Sequence, residues 1–171
     1  RLSRAPVWVL QVFRATPVQP SPRPRRTSFQ SWALSSIKSG LRALTLRTSI
    51  IGHELSGAHS LISWFLAQEG KVRGFSKAIF SGLPTVEIAR IIDTYVIPRP
   101  ELSGLYHLSA EPIDKFRLLE LVAKIYNKAI RIDEDNSIVI DRSLDSSRFR
   151  AATGFQPDDW PTLVERMHDF G

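Results

Sequence analysis

The stretch Ala43-Leu44-Thr45-Leu46-Arg47-Thr48-Ser49-Ile50-Ile51-Gly52 is where this chain changes character. Ala43 to Ser49 is an apolar-rich run ending in Thr and Ser, the pattern of a strand buried in a sheet. Downstream, helical and extended patterns alternate. Leu61, Ile62, Trp64, Phe65 and Leu66 form a helical apolar face, with Gly70 as its stop. Lys71 to Phe80 reads as short extended pieces around Gly74. Thr85 is placed to cap a helix whose inner face uses Val86, Ala89, Ile92 and Val96, ended by Pro98 and Pro100. Gly104 to Ser109 reads as another strand, and Asp114 as the cap of a helix that turns Leu118, Leu121, Val122 and Ile125 inward. Ile130 to Asp133 and Ser137 to Ile140 are further strand candidates. Leu144 to Ala152 reads as a helix stopped near Gly154, and Pro161 sits in the first turn of a last helix carrying Leu163, Val164 and Met167. Helices alternating with short strands define the α/β class.

Upstream of Ala43 the composition is different. Arg, Pro and Ser fill eighteen of the first forty positions, and Pro17, Pro20, Pro22 and Pro24 interrupt any regular element. Val7 to Phe13 is an apolar run fit for a strand, and Gln19 to Gln30 reads as irregular chain. Three origins compete for this segment. A basic, acid-free, Ser-rich leader has the composition of an organelle transit peptide. A flexible basic tail is the second. Out-of-frame translation of GC-rich DNA, which yields Arg, Pro, Ser and Ala, is the third and the preferred one. The domain reading is thus a basic, irregular segment over 1–42, non-native or frame-shifted, followed by one folded domain over 43–171.

The chain has 171 residues, of which 43% are hydrophobic, enough for one domain with a real core. It contains no cysteine, which excludes disulfides, thiolate metal sites and a thiol nucleophile and is compatible with a reducing compartment. The expected location is the cytoplasm. No apolar run approaches the ~18 residues of a membrane span. The net charge of +6 suggests a nucleic-acid partner, but its distribution argues against one. Nine Lys or Arg residues and no acid lie between Arg1 and His53; from Glu54 onward fourteen basic residues face seventeen acidic ones. The folded body is mildly acidic and offers no cationic face to a phosphate backbone.

The motifs are few. Gly52, Gly57, Gly70, Gly74 and Gly82 do not form a G-x-G-x-x-G fingerprint, and Tyr95, Tyr106 and Tyr126 lack a lysine four places on. No G-x-S-x-G elbow is present. His53, His59, His107 and His168 lack metal-ligand spacing and read as ordinary histidines. His53 is the exception to follow, because it comes just after a strand end, where ligands gather in open α/β sheets. Gly82-Leu83-Pro84-Thr85 joins an extended piece to a helix start, whose N–H groups suit an anionic or polyhydroxyl ligand; a plain turn and cap is the simpler reading. Arg142, in Asp141-Arg142-Ser143-Leu144-Asp145, is either a diphosphate clamp or a surface partner of Asp145. Trp64 reads as core, and Trp160 as packing for the last helix.

The order of these pieces is more specific than any one of them. Leu44 to Gly52 resembles the strand that follows the catalytic helix in dTDP-4-dehydrorhamnose reductases. Gly82-Leu83-Pro84-Thr85 with Ile88-Ala89 resembles their G-x-P-T element, and Gly104 to Ser109 the next strand. Arg142 to Phe149, with Gly154-Phe155 and Trp160, resembles their carboxyl-terminal ending, although Ser143 stands where a proline is common. The resemblance spans Ala43 to Phe170. It implies a partial Rossmann-type extended short-chain dehydrogenase, namely the carboxyl-terminal, substrate-binding part of an NAD(P)-dependent reductase of keto-sugar nucleotides.

By that analogy Thr48, Ser49 and Ile50 are cofactor-binding, lining the nicotinamide and sugar pocket. His53, Gly82, Pro84, Thr85 and Arg142 are then substrate-binding, with Arg142 toward the diphosphate. The family's Tyr/Lys helix belongs immediately before Ala43; here Trp32 to Gly40 holds no tyrosine. No catalytic residue or metal ligand is therefore assigned, and NADP or NAD is expected in the parent family but not on this chain alone. The expectation is a truncated, inactive reductase that binds a nucleotide sugar; the alternative is a non-catalytic binding or regulatory module of the same fold. A homo-oligomer is compatible with either, and neither nucleic acid nor membrane is an expected partner. Without the strands of a preceding half, the edges of the Ala43 strand are expected to be open.

Overall fold

The computed structural model describes residues 7–14, 43–53 and 60–171. The irregular chain expected over 19–30, Trp32, Ser56, Gly57 and His59 lie outside the described residues.

Strand β2, Ala43–Ile51, is the trunk of a parallel sheet. On one side it pairs along its length with β1, Val7–Arg14, in the register Val7 to Ala43 through Arg14 to Ile50. Its other side is shared by two strands. Leu44–Arg47 pairs with β6, Gly104–His107, while Ile50 and Ile51 pair with Leu83 and Pro84 of β5, Leu83–Pro84. The open edges expected for this strand are therefore not found: β2 is an interior strand, because the apolar run at residues 7–14 supplies the missing neighbour. This also accounts for its apolar sequence, since a parallel strand is covered on both faces.

Helix α1, Leu61–Leu66, follows β2 and is capped by Ser60, whose hydroxyl accepts from Ser63 N–H at 3.1 Å and donates to Gly52 C=O at 3.0 Å. Strand β3, Lys71–Phe75, pairs in parallel with β8, Arg131–Asp135. Strand β4, Ala78–Phe80, lies between β7, Ile113–Asp114, and β9, Ile140–Asp141. Helix α2, Thr85–Ile91, runs on through a wider turn over Ile92–Val96, and the Arg99 guanidinium donates to the Tyr95 carbonyl at 3.1 Å at its end. Helix α3, Lys115–Ile125, is capped by Asp114, which accepts from Arg117 N–H at 2.8 Å, as its sequence predicts. Helix α4, Ser147–Thr153, ends at Gly154, whose φ of 77° is the left-handed cap conformation that glycine adopts without cost. Helix α5, Trp160–Phe170, begins with Asp159 as cap and Pro161 in its first turn.

The core joins Leu44, Leu46 and Ile51 of β2 to Ile88 and Ile91 of α2, Leu118 and Val122 of α3, Phe149 of α4, and Leu163, Val164 and Met167 of α5. The expected inner face is found in part, with Val96 buried and Ile92 packed on the core, but not at Ala89. Ile88 and Ile91 are buried and Ala89 is exposed. The reason is a charge. Glu87 is fully buried, receives Arg90 at 2.6 and 3.0 Å and binds Arg166 of α5, while Arg166 also holds Asp158 at 2.9 Å. A buried carboxylate is tolerated only with such partners, and reaching them fixes which side of α2 turns inward. The helix expected over 144–152 also starts later. Asp145 accepts the Ser147 N–H at 2.8 Å, a turn that delays the first helical residue.

Candidate functional site

A parallel strand ends with its last carbonyls and side chains at the rim of the sheet, where a ligand meets little competition from packing. At this rim β2 presents Thr48, Ser49, Ile50 and Ile51, and β5 presents Gly82-Leu83-Pro84-Thr85 beside them. The apposition is close. A Cβ built on Gly82 would stand 2.5 Å from the Ser49 carbonyl oxygen and would also strike the Phe80 ring, so only glycine fits there. Pro84 is buried opposite Ile51, at the last residue of β5 and just before the helix. Thr85 does not cap α2. Its hydroxyl reaches the Ile51 carbonyl at 3.5 Å instead, and Pro84 holds the cap position without a side-chain bond. The two segments singled out in the sequence thus form one wall. Thr48 is fully buried, its hydroxyl donating to the Ser49 carbonyl at 3.2 Å, while Ser49 and Ile50 are half-buried at the rim.

The other two site residues go elsewhere. His53 Nε2 lies 2.9 Å from the Tyr126 hydroxyl at the end of α3, and the Tyr126 ring meets His168 of α5 edge-on at 4.7 Å. Burial, reinforced by the negative charge of Asp169, pushes the Tyr126 phenol up to about 12. Arg142 is exposed on the loop after β9, held by its own N–H on the Ile79 carbonyl at 3.1 Å. Its expected surface partner Asp145 is bonded to Ser147; like Asp141 with Ser143, it accepts a backbone N–H that holds the carboxyl below its usual range. Arg142 instead acts on Lys115 of α3.

Lys115 escaped the reading of the sequence. It is 7% exposed, and burial, aided by the nearby positive charge of Arg142, lowers its amine from 10.5 to about 8. It lines a cavity of about 210 Å³ with Leu61, Trp64, Gln68, Val72, Phe75 and Leu119, among others. The spacing of Lys115, Leu119 and Val122, four then three, was the available signal that the lysine shares the buried face of α3. A second concavity of about 330 Å³ lies past the end of β6, where Ser109, Leu144 and Ser146 are tied together; Ser109 Oγ donates to Leu144 C=O at 2.8 Å. Among the described residues no cluster of His, Cys, Asp or Glu could hold a metal, and no helix is long and apolar enough to cross a membrane.

No protein-family model matches the chain, and no curated protein matches it. Solved structures do. A dTDP-4-dehydrorhamnose reductase from Bacillus anthracis, in complex with NADP, is 14% identical with a TM-score of 0.71, over 95% of this chain and 64% of its own. RMD from Pseudomonas aeruginosa, complexed with NADPH, is 16% identical with a TM-score of 0.62, over 95% and 64%. A UDP-N-acetylglucosamine 4-epimerase from Methanobrevibacter ruminantium, in complex with UDP-N-acetylmuramic acid, is 16% identical with a TM-score of 0.66, over 97% and 62%. The chain thus spans less than two thirds of the length of each.

Proposed function

We propose, for a chain with the Rossmann-type fold of the extended short-chain dehydrogenases, that the wall formed by β2 and β5 binds the sugar end of a nucleotide sugar. The observation that carries this is the contact of Gly82 with the Ser49 carbonyl, which goes with Ile50 lying opposite Leu83 and Ile51 opposite Pro84 at the carboxyl end of a parallel sheet. Rim hydroxyls and backbone carbonyls are the groups that recognise a polyhydroxyl ring. Arg142, exposed and unbonded to Asp145, is the residue proposed for the diphosphate.

The fit to a nicotinamide cofactor is partial. Ser49 and Ile50 can touch a nicotinamide ring, and Thr48 supports them from within. Among the described residues no cradle for a dinucleotide's pyrophosphate is formed: the space beside Gly82 is filled by Ser49 and Phe80, and the sequence holds neither a G-x-G-x-x-G loop nor a Tyr-x-x-x-Lys pair. We therefore assign the chain a binding role, with hydride transfer requiring machinery that these residues do not supply. The absence of the pair also favours the second reading, a non-catalytic module of the same fold. Thermal-shift titration with dTDP- and GDP-sugars, with and without NADPH, tests the proposal. Stabilisation by the sugar nucleotide that does not depend on NADPH supports it; stabilisation by neither ligand refutes it and leaves the partner-binding module.

A further inference from the structure

An open edge of the main sheet lies on β6. Leu108 N–H donates to the Arg47 carbonyl at 2.9 Å, so Leu108, Tyr106 and Gly104 turn their backbone groups toward β2, and Leu105 and His107, which alternate with them, turn theirs away. Among the described residues β6 pairs with β2 alone. Leu105 is also 41% exposed, an apolar side chain beside outward-facing backbone groups. An edge of this kind is a template for a further strand.

A single side chain stands across it. Arg148, in the first turn of α4, donates to the Leu105 carbonyl at 2.9 Å, and its guanidinium lies over the Tyr106 ring, 4.6 Å from the centroid. Tyr106 is itself fixed, buried and edge-on to Phe149 at 6.0 Å. Among the described residues no carboxylate pairs with Arg148, so the strand edge and the ring are what hold this cation in place. We propose that Arg148 guards the β6 edge: it occupies the outward carbonyl of Leu105 and so keeps a second copy of this chain from adding its own β6.

The occupant it excludes follows from the pattern of the strand. Two β6 strands laid antiparallel about a twofold axis at Tyr106 set Leu105 of each opposite His107 of the other, and the outward N–H and C=O groups of both then find partners. The same register lays each exposed Leu105 side chain beside the His107 ring across the pair. Arg148 opposes this pairing twice. It takes the Leu105 carbonyl, and it puts a charge between the strands that pairing would have to strip of water. The edge is separate from the β2–β5 wall, and its guarding does not rest on nucleotide-sugar binding there.

Sedimentation equilibrium of the full chain tests the proposal, with far-ultraviolet circular dichroism following the fold. Arg148→Met keeps the apolar stem over Tyr106 and removes the donors. It is expected to raise self-association at least tenfold over the unmodified chain, and Arg148→Lys, which retains a cation and a donor, less. His107→Pro removes an N–H that points away from β2 and leaves the β2 pairing whole. Added to Arg148→Met, it should return association to the level of the unmodified chain. Hydrogen exchange gives a reading that needs no variant: the His107 amide of the unmodified chain should exchange at least tenfold faster than the Leu108 amide. Equal protection of the two amides means an edge already paired and overturns the proposal. Unchanged association in Arg148→Met overturns it too, as does association that His107→Pro leaves in place.

Discussion

Replacing Lys115 by methionine should stabilise the protein, and the gain should vanish at high pH. The side chain is 7% exposed, and folding lowers its pKa from 10.5 to about 8, chiefly through burial. At neutral pH both the folded and the unfolded chain carry the proton, and the folded chain bears the net cost of holding the ammonium in a poor solvent. The gap of about 2.5 pH decades, at about 1.4 kcal/mol per decade, sets that cost at about 3.5 kcal/mol. Between pH 8 and 10.5 the unfolded state binds more protons than the folded one, so stability rises with pH. Above that window both forms are neutral and the cost is gone. Methionine has nearly the same shape and no charge, so the variant should gain up to about 3.5 kcal/mol at pH 7 and almost nothing at the top of the window. Urea unfolding of both proteins at pH 7 and pH 10.5 measures the difference, and taking it between two proteins cancels every other titrating group. A gain that is the same at both pH values, or a loss at pH 7, refutes the assignment of a charged, desolvated lysine to this cavity.

Gly82→Ala should destabilise the protein by about 3 kcal/mol, seen in urea unfolding, because the new methyl meets the Ser49 backbone carbonyl, which cannot move without breaking the strand pairing. Glu87→Gln should cost about 2 kcal/mol in the same assay, since the amide keeps the shape but loses the charge that Arg90 and Arg166 face. Tyr126 should resist deprotonation, with its ultraviolet phenolate signal rising near pH 12 in the folded protein and near 10 in urea, the burial of its ring being the cause.

The strands and helices of the carboxyl-terminal three quarters were legible because local chemistry dictates them. Asp114 caps α3, Gly154 ends α4 and Pro161 opens α5, and each acts within one turn of its own position. The wall was legible for another reason: a G-x-P-T element has to lie against something, and Gly82 lies against Ser49. What the sequence could not reveal depends on distant partners. Whether Glu87 or Ala89 faces inward is decided by Arg166, seventy-nine positions away. His53 follows a strand end, yet Tyr126, seventy-three positions on, takes its ring nitrogen. The run Val7 to Phe13 was legible as a strand, but its pairing with β2 over all eight residues of Val7–Arg14 was not, because the Pro- and Arg-rich composition around it suggested a segment apart from the fold. A lysine at the start of α3 looks like a solvated helix end until α1 and β3 close over it.

The most direct measurement is calorimetric titration of the purified chain with a dTDP-keto-sugar, followed by addition of NADPH while absorbance at 340 nm is recorded. The account expects saturable binding that Ser49→Trp abolishes, together with a flat NADPH signal. Absorbance that falls in step with sugar-nucleotide concentration, or heat of binding that Ser49→Trp leaves intact, would contradict it.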